Sequence, residues 1–293
     1  MNIPSIELHE AASVAEACAL LDRFAPNVRL LAGGTDVLVD LKTGRASTKH
    51  LISLRRIDAL RGVRCTEDGL RIGALTTPNQ LAESSHVRNG FAPLLDAATE
   101  MAAPQVRNMA TIGGNIASAI PSADLPPILI AMNAGVVLQA GDRQRTVALD
   151  SFFQGPRQSA RKHAEVLTAI VVPRPPSGFG AAYVRFALRE ANACAVAGVA
   201  ASVRLSGDET IADARVVLCA VAPTPKLVKL VADVLVGETP GEAAFDRAAR
   251  AAMEAAEPIS DIRGSDAYRR ELVGVLTRRA LTRSLERARE NTR

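Results

Sequence analysis

The spacing of hydrophobic positions changes several times along the chain. Val14, Ala17, Cys18, Leu21 and Phe24 recur three and four residues apart behind a Ser13–Glu16 capping box, which predicts a helix that Pro26 stops. Short apolar runs at 28–32 and 51–54 read as strands, with a further apolar stretch at 37–41 between them. Runs at 63–66 and 70–74 flank Glu67-Asp68-Gly69 and predict a hairpin. Thr77-Pro78 and Ala92-Pro93 open short helices, the second reaching about residue 102. Asp124 stands where it would cap a helix over 125–132. Residues 136–140 and 144–148 form a second predicted hairpin around Gly141-Asp142, and 166–172 reads as a buried strand.

Pro173-Arg174-Pro175-Pro176-Ser177-Gly178 is the best linker in the chain. Beyond it the texture shifts. An Ala/Val-rich run at 193–205 turns at Ser206-Gly207-Asp208 and returns over 211–221, an antiparallel pair, and everything after Lys226 has helical spacing, ending in 265–289. These patterns predict an α+β fold in two parts: a first domain over 1–175, divided into subdomains at about 1–57 and 58–175, and a second over 179–290.

Composition narrows the functional classes. Of 293 residues 48% are hydrophobic, yet only 3% are aromatic and none is Trp. That argues against a stacking platform for single-stranded nucleic acid, and a large planar ligand would have to be held by backbone and small side chains. The net charge of +4 is dispersed except in the C-terminal stretch carrying Arg269, Arg270, Arg278, Arg279, Arg283, Arg287 and Arg289. This stretch reads as a solvated basic helix face, with contact to a partner subunit or an acidic surface as the alternative. No nucleic-acid partner is expected. The cysteines at 18, 65, 194 and 219 contain no Cys-x-x-Cys pair, so neither a local zinc nor an iron–sulfur site is expected. His9, His50, His86 and His163 are scattered and read as surface residues rather than ligands. The start lacks a basic region followed by an apolar one, and no window approaches 18 apolar residues, so a soluble cytoplasmic chain without a membrane span is expected.

Two segments carry chemistry: Ala32-Gly33-Gly34-Thr35-Asp36 and Thr111-Ile112-Gly113-Gly114-Asn115, each following an apolar run. A glycine pair can turn successive N–H groups toward one point, and such a nest holds phosphate oxygens. Thr35 or Thr111 can add a hydroxyl. Two nests eighty residues apart could clasp the two phosphates of a dinucleotide. Each could also be a plain strand-end turn. Neither is G-x-G-x-x-G nor a P-loop, which disfavours a Rossmann site or an NTPase.

Leu30-Leu31-Ala32-Gly33-Gly34-Thr35-Asp36, with Lys42 after it, resembles the first flavin loop of the flavoprotein subunits of molybdenum hydroxylases, the xanthine dehydrogenase and aerobic carbon monoxide dehydrogenase type. Thr111-Ile112-Gly113-Gly114-Asn115-Ile116-Ala117 and Pro121-Ser122-Ala123-Asp124-Leu125-Pro126 resemble the second loop, and similar marks recur to Gly264-Ser265-Asp266. The resemblance implies a two-subdomain FAD-binding domain of the vanillyl-alcohol-oxidase (PCMH) type and a small C-terminal domain of antiparallel sheet and helices. It implies non-covalent FAD on Leu30, Leu31, Ala32, Gly33, Gly34, Thr35, Asp36 and Val37 from one side, and on Thr111, Ile112, Gly113, Gly114 and Asn115 from the other. Asp124 would contact the sugar or phosphate end, Met101 would lie near the flavin or adenine, and Leu167 and Arg185 would neighbour the flavin ring. Arg185 stands where the family usually has lysine, and Ala193-Cys194-Ala195 replaces an acidic triplet. No catalytic side chain and no metal ligand is implied in this chain. Molybdopterin and two-iron clusters would sit on a large and a small partner subunit, in a dimer of heterotrimers, with electrons leaving FAD for NAD or another acceptor. The alternative is a self-sufficient FAD oxidase or reductase with its own small-molecule substrate.

Overall fold

The computed structural model describes residues 5–190 and 192–292. The first unit is a β-α-β-α-β sequence: β1 (Glu7–Glu10), α1 (Val14–Arg23), β2 (Val28–Leu31), α2 (Val37–Lys42) and β3 (His50–Ser53). Its strands form a parallel sheet in the order β1-β3-β2. Only half of the expected capping box at α1 is formed: Ser13 Oγ accepts from Glu16 N, but the Glu16 carboxylate accepts from Ala12 N, one residue before the cap, rather than from Ser13 N. Leu21, Cys18 and Ala17 pack with Ile52 and with Val166 from the next unit, so this small sheet is built onto the body of the protein.

The second unit contains β4 (Val63–Thr66), β5 (Gly69–Gly73), six helices, and β6 (Gly135–Ala140) to β10 (Val166–Pro173). The helices are α3 (Pro78–Glu83), α4 (Ser85–Gly90), α5 (Leu94–Glu100), α6 (Pro104–Met109), α7 (Ile112–Ala117) and α8 (Leu125–Ala131). The antiparallel sheet runs β4-β5-β10-β6-β7, with β7 at Arg143–Ala148, and a two-stranded ribbon of β8 (Phe153–Gly155) and β9 (Gln158–Ser159) lies beside it. Both expected hairpins are present. Several elements lie outside the sequence expectations, α4, α6, β8 and β9 among them. β1 is polar and largely exposed, α2 follows directly on a glycine turn, and the Thr111–Asn115 segment is helical rather than a loop.

The last unit is a sheet of β11 (Phe179–Ala187), β12 (Ala195–Leu205), β13 (Ile211–Cys219) and β14 (Lys226–Leu227), followed by α9 (Leu230–Leu235), α10 (Glu242–Ala255) and α11 (Asp266–Glu290). β12 has no polar alternation because both of its faces are covered. Val199, Ala201 and Val203 pack under α10 and α11, while Ala200 joins Tyr183, Val217 and Cys219 against α8. The main core therefore runs without a break from the second unit into the third.

The basic face of α11 is only in part the solvated surface expected of it, since Arg278, Arg279, Arg283 and Arg289 are exposed while Arg269 is buried. Asp96 on α5, buried, accepts from Arg287 Nη1 at 2.7 Å and Nη2 at 2.9 Å, from Arg283 Nη2 at 3.0 Å and from Tyr183 N at 3.1 Å. Arg269 is 1% exposed and donates to the Ala220 carbonyl and the Asp261 carboxylate. Much of this cationic charge thus ties α11 to its own protein, in contacts whose Coulombic gain offsets a large desolvation cost. No described helix is long and apolar enough to cross a membrane.

Candidate functional site

The first glycine segment leaves β2 at the edge of the parallel sheet, where Leu54 N donates to Leu31 O at 3.0 Å. Gly34 turns the chain at φ +82°, a conformation that favours glycine, and Leu38 N donates to Gly34 O to start α2. The amides of Gly33, Gly34, Thr35 and Asp36 have no acceptor among the described residues. This is the open nest expected from the sequence. Gly33 serves by closeness rather than by conformation, because a Cβ there would overlap the Met109 carbonyl at the end of α6.

The second glycine segment differs. Thr111 is the N-cap of α7, its Oγ1 accepting from Gly114 N at 3.0 Å. Ile112 N donates to Thr76 O at 2.8 Å and Gly113 N to Ala74 O at 2.9 Å. All three amides that a nest would offer are therefore used within the fold, and neither glycine has positive φ. The expectation of two equivalent backbone nests is corrected on this point. Gly113 is glycine because a Cβ would stand 2.6 Å from Ala74 Cβ and 2.7 Å from Ala74 O. This segment also carries a buried side-chain oxygen, Asn115 Oδ1, that finds no partner among the described residues. Ser118 Oγ donates to Asp36 Oδ2 at 2.8 Å and links the two segments.

Between them lies a cavity of about 430 Å3. Leu30, Ala32, Gly33, Gly34, Thr35, Asp36 and Val37 line one side, and Thr111, Gly113, Gly114, Asn115 and Asp124 the other. Met101 and Leu167 close the apolar end. Three residues expected at the site are not on the wall. Leu31 lies behind Gly34, 3.3 Å from where its Cβ would be, Ile112 is buried in the core of the second unit, and Arg185 sits behind Asp124. Leu75 and Ser118 are on the wall, as are Arg161 and His163 from the loop before β10 and Asn192 and Cys194 from the loop before β12. Nothing in their local sequence pattern marks Arg161 or His163, since both are placed by the packing of that loop. Arg161 donates to the carbonyls of Lys162, His163 and Glu165, and burial lowers its pKa. Ala102 (φ +50°) and Asn192 (φ +52°) are also on the wall, with Asn192 N donating to Ala102 O at 3.2 Å. Left-handed backbone at an alanine costs about 1–2 kcal/mol, and strain of this kind concentrates at binding sites.

Asp124 does not cap α8, because no side-chain cap bond is formed there. Its carboxylate turns inward and accepts from Tyr183 Oη at 2.8 Å and from Arg185 Nη1 at 3.4 Å. Burial raises the Asp124 pKa, opposed by the Arg185 charge. Burial also raises the Tyr183 pKa far above the usual phenol range, with the neighbouring Asp124 charge adding to the effect. Arg185 is anchored further by the carbonyls of Ala193 and Glu100. Its charge therefore serves to hold Asp124 and the loop at the cavity's edge.

The donors and acceptors present fit a dinucleotide such as FAD. Free amides and the Arg161 cation suit phosphate oxygens, the orphaned Asn115 oxygen suits a hydroxyl or amino donor, and Met101 and Leu167 provide an apolar end. Comparisons with known proteins agree. The family described as the FAD binding domain in molybdopterin dehydrogenase matches residues 4–175, and the CO dehydrogenase flavoprotein C-terminal domain matches 182–284. The chain is 38% identical over 278 residues to the carbon monoxide dehydrogenase medium chain of Hydrogenophaga pseudoflava, covering 95% of this chain and 96% of that one. It is 31% identical to the xanthine dehydrogenase FAD-binding subunit of Escherichia coli O157:H7, covering 96% of each. A solved structure of carbon monoxide dehydrogenase from Hydrogenophaga pseudoflava superposes with a TM-score of 0.95 at 37% identity, over 98% of this chain and 99% of that one.

Proposed function

The chain belongs to the FAD-binding subunits of molybdopterin dehydrogenases, and from that membership we propose that it holds FAD between its two glycine segments and relays electrons from iron–sulfur clusters on a partner to NAD or another acceptor. Bound FAD supplies the exchange between one-electron and two-electron transfer. The residues of this chain bind and orient it. The Gly33–Asp36 amides and Arg161 receive the pyrophosphate, Asn115 takes a polar group of the nucleotide, and Met101 and Leu167 keep water from the apolar end. Asp124, held by Tyr183 and Arg185, fixes the opposite wall. The molybdopterin and two-iron clusters belong to a large and a small partner subunit, in a cytoplasmic complex assembled as a dimer of heterotrimers.

The observation that carries this reading is the row of unbonded amides at Gly33–Asp36 on the wall of a cavity that Asn115, with its buried and unpartnered oxygen, also lines. The test is titration of the flavin-stripped chain with FAD, FMN and riboflavin. Two bonds to a charged group, each worth about 1.5–3 kcal/mol, predict FAD at least ~100-fold tighter than riboflavin. Equal affinities, or full FAD occupancy in a folded Gly33→Leu variant, would reject the site. For the complex, the chain purified from its native source should carry molybdenum and iron with it. Steady turnover of a small molecule by the chain alone would favour the self-sufficient oxidase or reductase instead.

A further inference from the structure

Far from the glycine segments in sequence, the parallel sheet brings together residues that the sequence pattern reads as scattered. Glu7 and His9 are two apart on β1 and so share one face of the strand. The register of the parallel pair sets His50 of β3 opposite Glu7. His9 Nε2 lies 3.1 Å from His50 Nδ1, Glu7 Oε1 lies 3.7 Å from His9 Nε2, and Glu7 Oε2 lies 3.5 Å from His50 Nδ1. Both imidazoles are mostly covered, with side-chain exposures of 16% and 20%, while the carboxylate is exposed. The Phe24 ring stacks on both, at 4.5 Å from the His9 ring and 4.0 Å from the His50 ring, and fixes their orientation.

The donors are close enough together to share one ion. Zinc bonds of about 2.0–2.2 Å at tetrahedral angles set neighbouring ligand atoms about 3.3–3.5 Å apart. The two ring nitrogens lie 3.1 Å apart, and each has a different Glu7 oxygen near it, Oε2 at 3.5 Å from His50 Nδ1 and Oε1 at 3.7 Å from His9 Nε2, so that one donor atom from each residue falls within 4.8 Å of the others. Two ring nitrogens facing each other can share only one proton, whereas a cation between them would take both lone pairs. Two imidazoles and a carboxylate suit zinc and its divalent transition-metal neighbours rather than calcium or magnesium.

We propose that Glu7, His9 and His50 form a divalent transition-metal site, of the zinc class, that staples β1 to β3. The fourth position faces outward, on the exposed side of Glu7, and is open to water. β1 is a four-residue edge strand with little burial, so a cross-strand ion is well placed to stiffen it. β3 also pairs with β2, the strand that feeds the Gly33–Gly34 turn, so the ion would brace the sheet behind that turn.

The test uses the full chain, stripped with a chelator and then titrated with Zn2+ by calorimetry and with Co2+ by visible absorption. The expected result is a single equivalent of each ion, tetrahedral cobalt bands, and a Zn2+-dependent rise in the thermal midpoint. His9→Ala and His50→Ala should each weaken binding by more than the ~10–100-fold typical of losing a mere outer-shell partner. Glu7→Gln should weaken it less. Retained flavin content reports that each variant is folded. Cys65 and Cys194 are exposed thiols that could capture Co2+, so a C65S/C194S chain should bind as the parent does. Absence of stoichiometric binding by the parent chain, binding unchanged in both histidine variants, or binding abolished by the cysteine pair alone would each overturn the proposal.

Discussion

Gly33-Gly34 and Gly113-Gly114 each end an apolar run and each line the same cavity, yet their backbones are used in opposite ways. Around the first pair four successive amides are left without an acceptor among the described residues, and the turn is held by Gly34 at positive φ and by the close approach of Met109. Around the second pair every amide is spent within the fold, on Thr76, Ala74 and the Thr111 hydroxyl, and the glycines are helical. In the proposed reading the first pair is a ligand surface. The second is a packing device that lets α7 lie against Ala74 and so brings Asn115 and Ser118 to face the first. Two identical dipeptides in comparable surroundings thus differ according to where their N–H groups go, which is an accounting question for the whole fold.

The aspartates that follow the two pairs give the largest expected contrast. Asp124 is buried against Tyr183 and Arg185, so Asp124→Ala strands a guanidinium whose side chain is 5% exposed. Breaking a buried pair in this way typically costs about 3–5 kcal/mol, and the remaining Glu100–Arg185 contact sets the expectation near 3. Asp36 makes one side-chain hydrogen bond, to Ser118, and Asp36→Ala should cost about 1 kcal/mol. Denaturant unfolding of the flavin-free chains measures both. Equal losses would mean that the second segment is no more structural than the first.

The glycines themselves come next. Gly113→Ala drives a methyl against the Ala74 backbone and should lower stability by about 1–3 kcal/mol without flavin present. Gly33→Ala meets the Met109 carbonyl even more closely, and also disturbs the loop that carries the unbonded amides. Its stability loss should be of the same order as that of Gly113→Ala, but in addition its FAD dissociation constant rises at least ~10-fold, the equivalent of one lost ~1.4 kcal/mol contact. Thermal midpoints of the apo chains set beside FAD titrations separate the two effects. A Gly113→Ala variant that loses flavin affinity but no stability would reverse the assignment.

How far the sequence foretold this contrast depends on whether each feature is local. The Ser13 cap of α1, the hairpin around Asp68, the hairpin around Gly141 and the boundaries of α11 are written in neighbouring residues, and each is present. The wall residues from 30–37 and 111–124 were legible as motifs. The state of their amides was not, because Gly113 N and Ile112 N bond to residues 74 and 76, a pairing that only the packed fold creates. The same holds for α7, where intrinsic glycine propensity argues against helix and is overruled by the Thr111 cap and the fit to Ala74. Non-local register also hid the meeting of His9 with His50 and the recruitment of Arg161 and His163 to the cavity. The arginines of α11 read as a surface because charge alone does not reveal Asp96, nearly two hundred residues earlier.

The threonines give the smallest and sharpest version of the comparison, since they differ from Ala by a hydroxyl and a methyl. Thr111 Oγ1 holds the first turn of α7, and Thr111→Ala should cost about 1 kcal/mol of stability, as loss of an N-cap does. Flavin binding should weaken only as far as α7 frays. Thr35 lines the cavity and its hydroxyl makes no hydrogen bond among the described residues, so Thr35→Ala should leave the apo chain's unfolding free energy within about 0.5 kcal/mol of the parent. If that hydroxyl joins the neighbouring amides in meeting a phosphate oxygen, its loss weakens FAD by about 10-fold while riboflavin binding stays unchanged, because riboflavin has no phosphate to lose. The pair therefore separates a hydroxyl that serves the fold from one that serves the ligand. Stability lost at Thr35, or flavin affinity lost at Thr111 with the helix intact, would show that the two segments share the work the structure divides between them.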